Sequence, residues 1–416
     1  MKSKIRLLIC LLLISTMILT GCLNVSNDLM KGIVSNNEDR IPEQMEEKLN
    51  QAILNFTWNF FKESSNNEGN IMISAPSIYF ALAMTLNGAN GDTKEQMLDA
   101  LKVEDITIEE LNLGLSDWMV SLMSDNRIAE LSIDNSIWYR EGFKANKKFL
   151  QTNADYYSAY VKSLDFSDRN ASDEINNWVK EATNDTIDKI VGEIDENTMM
   201  YLINAIYFKG DWKEQFANSK TFKKTFNAPT GKVETDFMNR RGNIDCVESN
   251  GITGVVLPYL DEQFAFVGLL PKEDQTPKEM INSLSALDFI KLINSKKIKN
   301  IELSLPKFES SYEDSLVNEL VNLGMEIPFD YSNADFSLMK EDLTKDLFIS
   351  EVKHKTFIKV DEKGTEASAV TSVEMETTSM PAELSKVVFD RPFLYGIVDV
   401  TTGIPLFIGI MENPNK

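Results

Sequence analysis

Histidine and cysteine are scarce in this chain of 416 residues, which contains one histidine and three cysteines. A hydrolase of the Ser-His-Asp or Cys-His type would have to use His354 as its base. The sequence around His354 is typical of a long buried strand, where a lone histidine is more often a hydrogen-bonded core residue. A zinc site is not expected, because it would need several His or Cys ligands. Motifs of α/β-hydrolases, phosphate loops and dinucleotide sites are also lacking, so the sequence disfavours these enzymes and indicates no cofactor.

A pair of carboxylates is the one catalytic arrangement that counting residues leaves open, since the chain has 64 Asp and Glu residues. Most of them are expected to be solvated surface acids. The formal net charge of -22 argues against nucleic acid as a partner. No carboxylate spacing of the calcium-loop type occurs, so no metal site is expected either. The acidity therefore indicates a self-repelling, well-solvated surface and does not reveal a function.

The N-terminus has the layout of an export signal. Three basic residues precede an apolar run over 7–19, which is short for a membrane-spanning helix of about 20 residues. The run closes on Leu-Thr-Gly-Cys22, which is typical of a prokaryotic lipoprotein precursor. We therefore predict a signal peptide over 1–21, diacylglycerol on Cys22, and a protein anchored on the outer face of the cell membrane. A plain cleaved signal with an incidental Cys22 is the alternative.

Polar residues dominate the segment that follows the predicted lipid site. Residues 22–40 are rich in Asn and Ser, which predicts a flexible, lipid-anchored tether. The folded domain is then expected over 41–416. Cys10 leaves with the signal, so Cys246 is the only cysteine of that domain and an intramolecular disulfide is excluded. The fold must be held by its hydrophobic core, in which Cys246 is expected to be a small buried residue.

Apolar periodicity changes along the domain. Apolar residues recur at helical spacing from Met45 to Phe60, and the sequence from Asp92 to Glu95 is typical of a capping box. Further helices are predicted at 105–123, 145–158, 172–183, 276–293 and 313–323. Strands are predicted at 131–138, 198–208, 253–258, 263–270, 298–305, 347–361, 386–399 and 404–411. Because the helices cluster early and the strands late, the fold class is α+β rather than a doubly wound parallel sheet.

The segment from Val360 to Pro381 has an unusual alternation. One set of alternate residues, from Thr365 to Met375, is uncharged, whereas the other set contains three acids. The first part consists of small residues that form strands weakly, and no proline occurs between Asp361 and Met380. The segment could therefore be exposed or inserted into a sheet. An ordinary polar surface loop is the simpler interpretation of the pattern alone.

Several motifs resemble the serpin family. The run from Glu362 to Ala369 resembles the hinge of inhibitory serpins, with Gly364, Thr365, Glu366, Ala367, Ser368 and Ala369 as its members. Residues 204–212, 303–308, 390–395 and 403–414 resemble other runs of the family in the same order. The resemblance implies a metastable fold of three β-sheets and eight or nine helices, with an exposed reactive loop over about 364–391. A single departure occurs at 74–77, where the family more often has proline directly after the first serine.

A function as a protease trap follows from the resemblance. A target protease would attack the loop and form an acyl-enzyme, and the cleaved loop would then enter the large sheet as a new strand. The family's spacing places the scissile bond between Thr378 and Ser379, with Thr377 or Met380 as alternatives. No Arg or Lys lies between Lys363 and Lys386, which favours elastase-like or subtilisin-like targets over trypsin-like ones. Serine proteases are the expected targets, and cysteine proteases are an alternative class of target.

The resemblance also assigns two groups of residues beside the sheet. At its top, where the loop first enters, Trp212 would sit and Lys307 would pair with Glu362; ordinary strand packing and a surface ion pair are the alternative. Beneath the sheet, the residues implied are His354, Asn204, Ser74 and Ser77. In that region His354 would hydrogen-bond Asn204 and Ser74.

A serpin that no longer inhibits is the main alternative function. Such a protein would act as a chaperone or binding module, and charged or bulky hinge residues would favour it. The small residues of this hinge argue against it. We therefore expect a monomeric inhibitor that is not an enzyme and whose partners are a protease and, through its lipid, the membrane.

Overall fold

The computed structural model describes residues 28–36, 46–123, 129–365 and 384–416. No helix within these ranges is both long and apolar enough to cross a membrane. The described residues form an α+β fold, as predicted, in which most helices precede residue 183 and most strands follow it.

Nine α-helices occur in the described part of the chain, within the implied eight or nine. They are α1 (Glu47–Ser64), α2 (Ala75–Leu86), α3 (Gly91–Ala100), α4 (Ile108–Leu122), α5 (Lys147–Tyr157), α6 (Ala171–Ala182), α7 (Pro277–Ser283), α8 (Ala286–Asn294) and α9 (Val317–Asn322). The helix α1 buries the apolar stripe that the sequence predicts, and α2 is buried on all sides at the centre of the molecule.

Three helix predictions differ from the structure. The capping box proposed for 92–95 is wrong, because α3 begins at Gly91 after Asn90 and has no side-chain cap. The sequence predicts a single helix over 276–293, but the structure has two, because Ser285 caps the N-terminus of a second helix. The helix expected over 313–323 covers only Val317–Asn322, because the preceding residues pair in a sheet.

Fifteen strands occur in the ranges given above. They are β1 (Ile71–Ile73), β2 (Glu130–Arg140), β3 (Tyr160–Leu164), β4 (Met200–Asp211), β5 (Thr221–Ala228), β6 (Gly231–Ser249), β7 (Ile252–Pro258), β8 (Phe264–Leu270), β9 (Lys297–Pro306), β10 (Phe308–Ser315), β11 (Glu351–Val360), β12 (Gly364–Thr365), β13 (Ser385–Val388), β14 (Phe393–Asp399) and β15 (Pro405–Met411). All eight predicted strands are present, with the run over 386–399 divided into β13 and β14. The long hairpin of β5 and β6 was not predicted, because charged residues face solvent along it and break the apolar pattern.

The strands form two hydrogen-bonded sheets in the described chain. The smaller sheet has six strands in the order β10-β11-β12-β4-β2-β3, and the larger has nine. The 19 residues of β6 run through the larger sheet: β5 pairs with residues 231–238, β9 with residues 237–246 and β7 with residues 245–249. The resemblance implies three sheets, whereas the described residues form two, because the continuous strand β6 joins β5 and β9 to β7.

Residues 28–36 lie against the domain, and we call this segment the N-terminal strap. Its backbone bridges β3 at Lys162, and its partly buried side chains Leu29, Met30 and Ile33 pack against the core. The prediction of a flexible tether over 22–40 is therefore corrected for the strap. The segment is polar on average, but its three apolar side chains bury apolar surface when the strap lies against the edge of β3.

Candidate functional site at the hinge

The hinge enters the six-stranded sheet between β11 and β4. Gly364 is opposite Asp211 of β4, and Thr365 lies between Gly210 of β4 and Val360 of β11. Both hinge residues are buried. The first two residues of the predicted loop thus already form a short strand at one end of the sheet, which we call the hinge end.

Below the hinge, β11 and β4 part. The two strands pair directly only where Glu351–Lys353 meets Tyr201–Ile203, at the far end of the sheet. Between these pairs and the hinge, residues 354–359 of β11 and 204–209 of β4 share no ladder in the described part of the chain. Their outer edges are paired with β10 and β2. Among the residues that the structure describes, no strand lies between these two stretches, and we call the place below Thr365 the unfilled position.

Gly364 is required by the close approach of the backbones. A Cβ at this position would collide with the carbonyl oxygen of Gly210 and the Cα of Asp211, both of which are main-chain atoms that cannot move aside easily. A glycine at the first hinge position therefore lets the chain turn into the sheet without strain.

Trp212 is buried at the hinge end, as the resemblance implies. Its indole stacks on the ring of Tyr259, with centroids 4.8 Å apart and an interplanar angle of 13°. The indole Nε1–H donates to the carbonyl oxygen of Asp361 at 2.9 Å, and the Trp212 amide donates to that of Lys363 at 2.7 Å. Trp212 thus donates two hydrogen bonds to the turn that leads into the hinge, one from its side chain and one from its backbone.

Lys307 and Glu362 form the expected ion pair. The Lys307 Nζ lies 2.8 Å from a carboxylate oxygen of Glu362, whose side chain is 10% exposed. Burial alone would raise the pKa of Glu362, but the hydrogen bond and the positive charge of Lys307 oppose this effect, and the pKa is lowered. The carboxylate is therefore held charged beside the hinge.

Tyr259 was not singled out by the sequence. Its hydroxyl lies 2.6 Å from the hydroxyl of Thr365, and both side chains are buried. Burial raises the pKa of Tyr259, so the phenol keeps its proton and can share a hydrogen bond with Thr365. Tyr259 is separated from the hinge by more than a hundred residues, and no local pattern marks it.

Removing one hydroxyl of this pair should destabilise the native protein. We expect Tyr259→Phe or Thr365→Val to lower the free energy of unfolding by about 1–2 kcal/mol, because each leaves a buried hydroxyl without its partner. The double variant should lose less than the sum of the two. Urea unfolding of the uncleaved protein measures these values. Strict additivity would mean that the two hydroxyls do not interact.

His354 belongs to β11, and its side chain is buried on the face of the sheet that packs against Ser74. Its Nε2 accepts a hydrogen bond from the amide of Ser74 at 3.1 Å, as expected. Asn204 instead donates to Asn135 on the neighbouring strand at 2.8 Å, and no hydrogen bond joins it to His354 in the part of the chain described. Ser77 closes the start of α2 by donating to the carbonyl of Ser74 at 3.0 Å. The core-histidine interpretation holds, whereas the expected bond to Asn204 is wrong because cross-strand pairing places Asn135 nearer.

Acid should destabilise the protein through His354. Burial lowers the pKa of this histidine from 6.5 to about 3. The unfolded chain therefore binds a proton between these values that the folded chain does not, and stability falls as the pH falls below about 6.5. We expect a loss of about 3 kcal/mol between pH 7 and pH 4, at about 1.4 kcal/mol per unit.

Urea unfolding from pH 7 to pH 4 tests this, with His354→Gln as the control that keeps every carboxylate. The difference between the two profiles isolates the histidine, which is the only one in the chain. Parallel profiles would contradict a depressed pKa at this position.

The remaining predicted site residues lie outside the described ranges. These are Cys22, Glu366, Ala367, Ser368, Ala369, Thr378 and Ser379. Among the described residues, no group of three or more His, Cys, Asp or Glu side chains is arranged to hold a metal ion.

In the part of the chain that the structure describes, the six-stranded sheet has a short entering strand above the unfilled position. The family model described as "Serpin (serine protease inhibitor)" matches residues 51–414. The chain belongs to the serpin family. Members of this family are generally inhibitors that bind target proteases, rather than enzymes.

Three relatives illustrate the range of the match. An uncharacterized serpin-like protein of Thermococcus kodakarensis is 32% identical over 381 residues, which cover 90% of this serpin and 88% of the relative. The native state of the thermophilic serpin tengpin shares 39% identity with a TM-score of 0.87, and the match covers 93% of this chain and 99% of tengpin. Thyroxine-binding globulin in complex with thyroxine shares 28% identity with a TM-score of 0.81, over 89% of this chain and 100% of the globulin. The same fold thus also occurs in a protein named for binding a small molecule.

Proposed function

We propose that this serpin is a suicide-substrate inhibitor of serine or cysteine proteases. The nucleophile of the target protease attacks the carbonyl carbon of Thr378, the bond to Ser379 breaks, and the new amine leaves with a proton. The protease is then held as an ester or thioester of Thr378. The cleaved loop enters the unfilled position between β4 and β11 before water can release the protease. In this reaction the serpin is a substrate and an inhibitor, and it is not an enzyme.

The observation that carries the proposal is the position of Gly364–Thr365. This pair occupies the start of the unfilled position, between Gly210 and Val360. Within the described residues, β4 and β11 form a ladder with each other only at their far end, so residues that follow Thr365 could gain backbone hydrogen bonds to both strands. Those bonds and the burial that accompanies them must exceed the cost of about 1–2 kcal/mol of ordering each backbone residue.

The length of the loop supports the same reaction. Residues 365–378 number fourteen, and an extended strand of that length spans about 46 Å at roughly 3.3 Å per residue. The twelve residues of β4 span about 40 Å on the same basis. A loop cleaved after Thr378 would therefore run the full length of the sheet and carry the bound protease from one end to the other.

Side-chain size supports insertion on the buried face. The side chain of Thr365 is 2% exposed in its place between the strands. Because strand residues alternate between faces, Ala367, Ala369, Thr371 and Val373 would follow Thr365 onto that buried face. All four are uncharged, and the acids of the segment belong to the opposite set. The hinge is therefore suited to insertion at low cost.

The loop composition favours particular targets. No Lys or Arg lies between Lys363 and Lys386, so a trypsin-like pocket finds no basic residue to bind. A small β-branched residue at the scissile position suits elastase-like or subtilisin-like pockets. We propose proteases of these two kinds as targets, and a monomer as the acting form.

We also propose that the mature serpin begins at Cys22, carries diacylglycerol there, and stays on the outer face of the cell membrane. The support is the Leu-Thr-Gly-Cys sequence at the end of an apolar run. Two or three acyl chains would hold the protein stably, whereas a single chain would not.

The inhibitory function is tested by mixing a soluble form that starts after Cys22 with subtilisin and with elastase, and with trypsin as the disfavoured target. A band at the summed mass that survives denaturation is expected with at least one of the first two. Mass spectrometry of the released peptide should place the cut between Thr378 and Ser379. Cleavage of the loop while both enzymes stay fully active would contradict the proposal and favour a chaperone or binding module.

A further inference from the structure

The N-terminal strap (28–36) is attached to the domain at two places. The backbone of Asp28 bridges Lys162 on β3, and the amide of Leu29 donates to the carbonyl of Val161 at 2.9 Å. Further along, the amide of Asn36 donates to a carboxylate oxygen of Asp155 on α5 at 2.7 Å. The strap thus extends the six-stranded sheet by one short bridge at its β3 edge and then crosses to α5.

Apolar contacts reinforce these hydrogen bonds. The side chains of Leu29 and Ile33 are partly buried and pack against the core, whereas that of Val34 is 65% exposed. Gln151 of α5 donates to the carbonyl of Val34 at 2.8 Å, which holds the backbone while the side chain stays in solvent. The strap therefore presents one apolar side to the domain.

The register of the sheet places the strap far from the hinge. Lys162 is level with Trp138 of β2, which is level with Tyr201 of β4. The hinge residue Thr365 is paired with Gly210 of β4. The nine steps from Tyr201 to Gly210 correspond to about 30 Å along the strand. Asp28 therefore lies near the end of the sheet opposite the hinge end.

The direction of the strap agrees with this position. Asp28 bridges β3 in the antiparallel sense, so the strap begins at Asp28 and runs opposite to β3. Since β3 is parallel to β2 and β2 is antiparallel to β4, the strap begins at the end of the sheet where β4 starts, at Met200. The described residue of the strap that is nearest to Cys22 in sequence therefore lies at the far end of the sheet.

The strap also shortens the anchor. Six residue-to-residue steps lead from Cys22 to Asp28, so their Cα atoms can be at most about 20 Å apart. If the strap were released, the tether would run from Cys22 to Glu46, where the described domain resumes, and could reach about 80 Å with no fixed direction.

We infer that the strap orients this serpin on the membrane, with the far end of the six-stranded sheet toward the lipid surface and the hinge end toward solvent. This inference rests on the proposed lipid at Cys22. The reactive loop would then be presented to diffusing proteases. Loop insertion would carry a trapped protease along the sheet toward the membrane side.

Energy transfer to the membrane tests the orientation. The full chain would be isolated in its acylated form and placed in vesicles of phosphatidylethanolamine and phosphatidylglycerol that contain an acceptor dye on a headgroup. A donor dye is attached through Ser219→Cys at the hinge end or through Arg169→Cys at the far end, both exposed positions. Cys246 is buried and should not react with the dye under native conditions. We expect clearly stronger transfer from position 169 than from position 219.

The strap variant Leu29→Asp with Ile33→Asp should abolish the difference, whereas Val34→Asp, which adds a charge to the exposed side chain, should preserve it. Hydrogen exchange of residues 28–36 in the soluble form reports whether the strap is docked, independently of the lipid. Absence of acyl chains by mass spectrometry would overturn the proposed anchor. Equal transfer from both positions with the acyl chains present would overturn the orientation alone, and neither result bears on protease inhibition.

Discussion

Replacing Ala367 with arginine should convert this serpin from an inhibitor of its target protease into a substrate. Position 367 follows the buried Thr365 by two residues, so its side chain would have to enter the buried face during insertion. A guanidinium without a partner there costs several kcal/mol. If about 3 kcal/mol of that cost appears in the transition state, insertion slows about a hundredfold, because each 1.4 kcal/mol is worth a factor of ten. Hydrolysis of the acyl-enzyme is then faster than insertion of the loop, and the protease is released active.

The measurement is a denaturing gel combined with titration of residual protease activity. The variant Ala367→Arg should be cleaved at the same bond as the unchanged serpin. It should form little covalent complex, and many serpin molecules should be cleaved for each protease molecule that is inhibited. Ser368→Arg is the matched control, since the same charge one residue later falls on the opposite face. It should still form the complex. Equal trapping by both variants would mean that the alternation does not decide insertion.

Replacing Trp212 with alanine should destabilise the uncleaved protein by about 3–5 kcal/mol in free energy of unfolding, the range for truncating a large buried aromatic side chain. The indole is 2% exposed, stacks on Tyr259 and donates to the carbonyl of Asp361. Without it, the turn leading to Gly364 loses a hydrogen bond and the ring against which the hinge end is packed. Urea unfolding at neutral pH measures the loss.

Two controls separate the contributions of Trp212. Trp212→Phe keeps an aromatic ring opposite Tyr259 and removes only the Nε1–H donor, so its cost should be nearer 1–2 kcal/mol. Trp178 on α6 is only partly buried, and Trp178→Ala should cost less than Trp212→Ala. A loss under about 1 kcal/mol for Trp212→Ala would mean that the hinge end is held mainly by its backbone pairs.

The predictions that succeeded depend on local patterns. The apolar periodicity of α1 and the apolar runs of the predicted strands identified elements whose side chains are buried by the same period in the structure. The ion pair between Lys307 and Glu362 followed from motif resemblance, because both residues lie within short runs that resemble the family.

The features that the sequence analysis missed have two kinds of cause. The hairpin of β5 and β6 pairs strands that are adjacent in sequence, and it was missed because charged residues along it break the apolar pattern. The other cases involve partners distant in sequence. Asn204 bonds to Asn135 because the register of β4 on β2 brings them opposite each other. The strap looks like a polar tether until the edge of β3 and the side of α5 offer its three apolar residues a surface.

The amino-acid sequence by itself determined that the alternate residues from Thr365 onward are uncharged and that no basic residue lies between Lys363 and Lys386. These are properties of composition and spacing, and they depend on no tertiary contact. The location of the hinge at residues 362–369 followed from the resemblance to serpins. Only the tertiary structure decided that Thr365 already lies between β4 and β11, that Tyr259 shares its hydroxyl hydrogen bond, and that the strap leaves the sheet at the end far from the hinge. Those outcomes depend on the register between strands, which is set by the packing of the whole core.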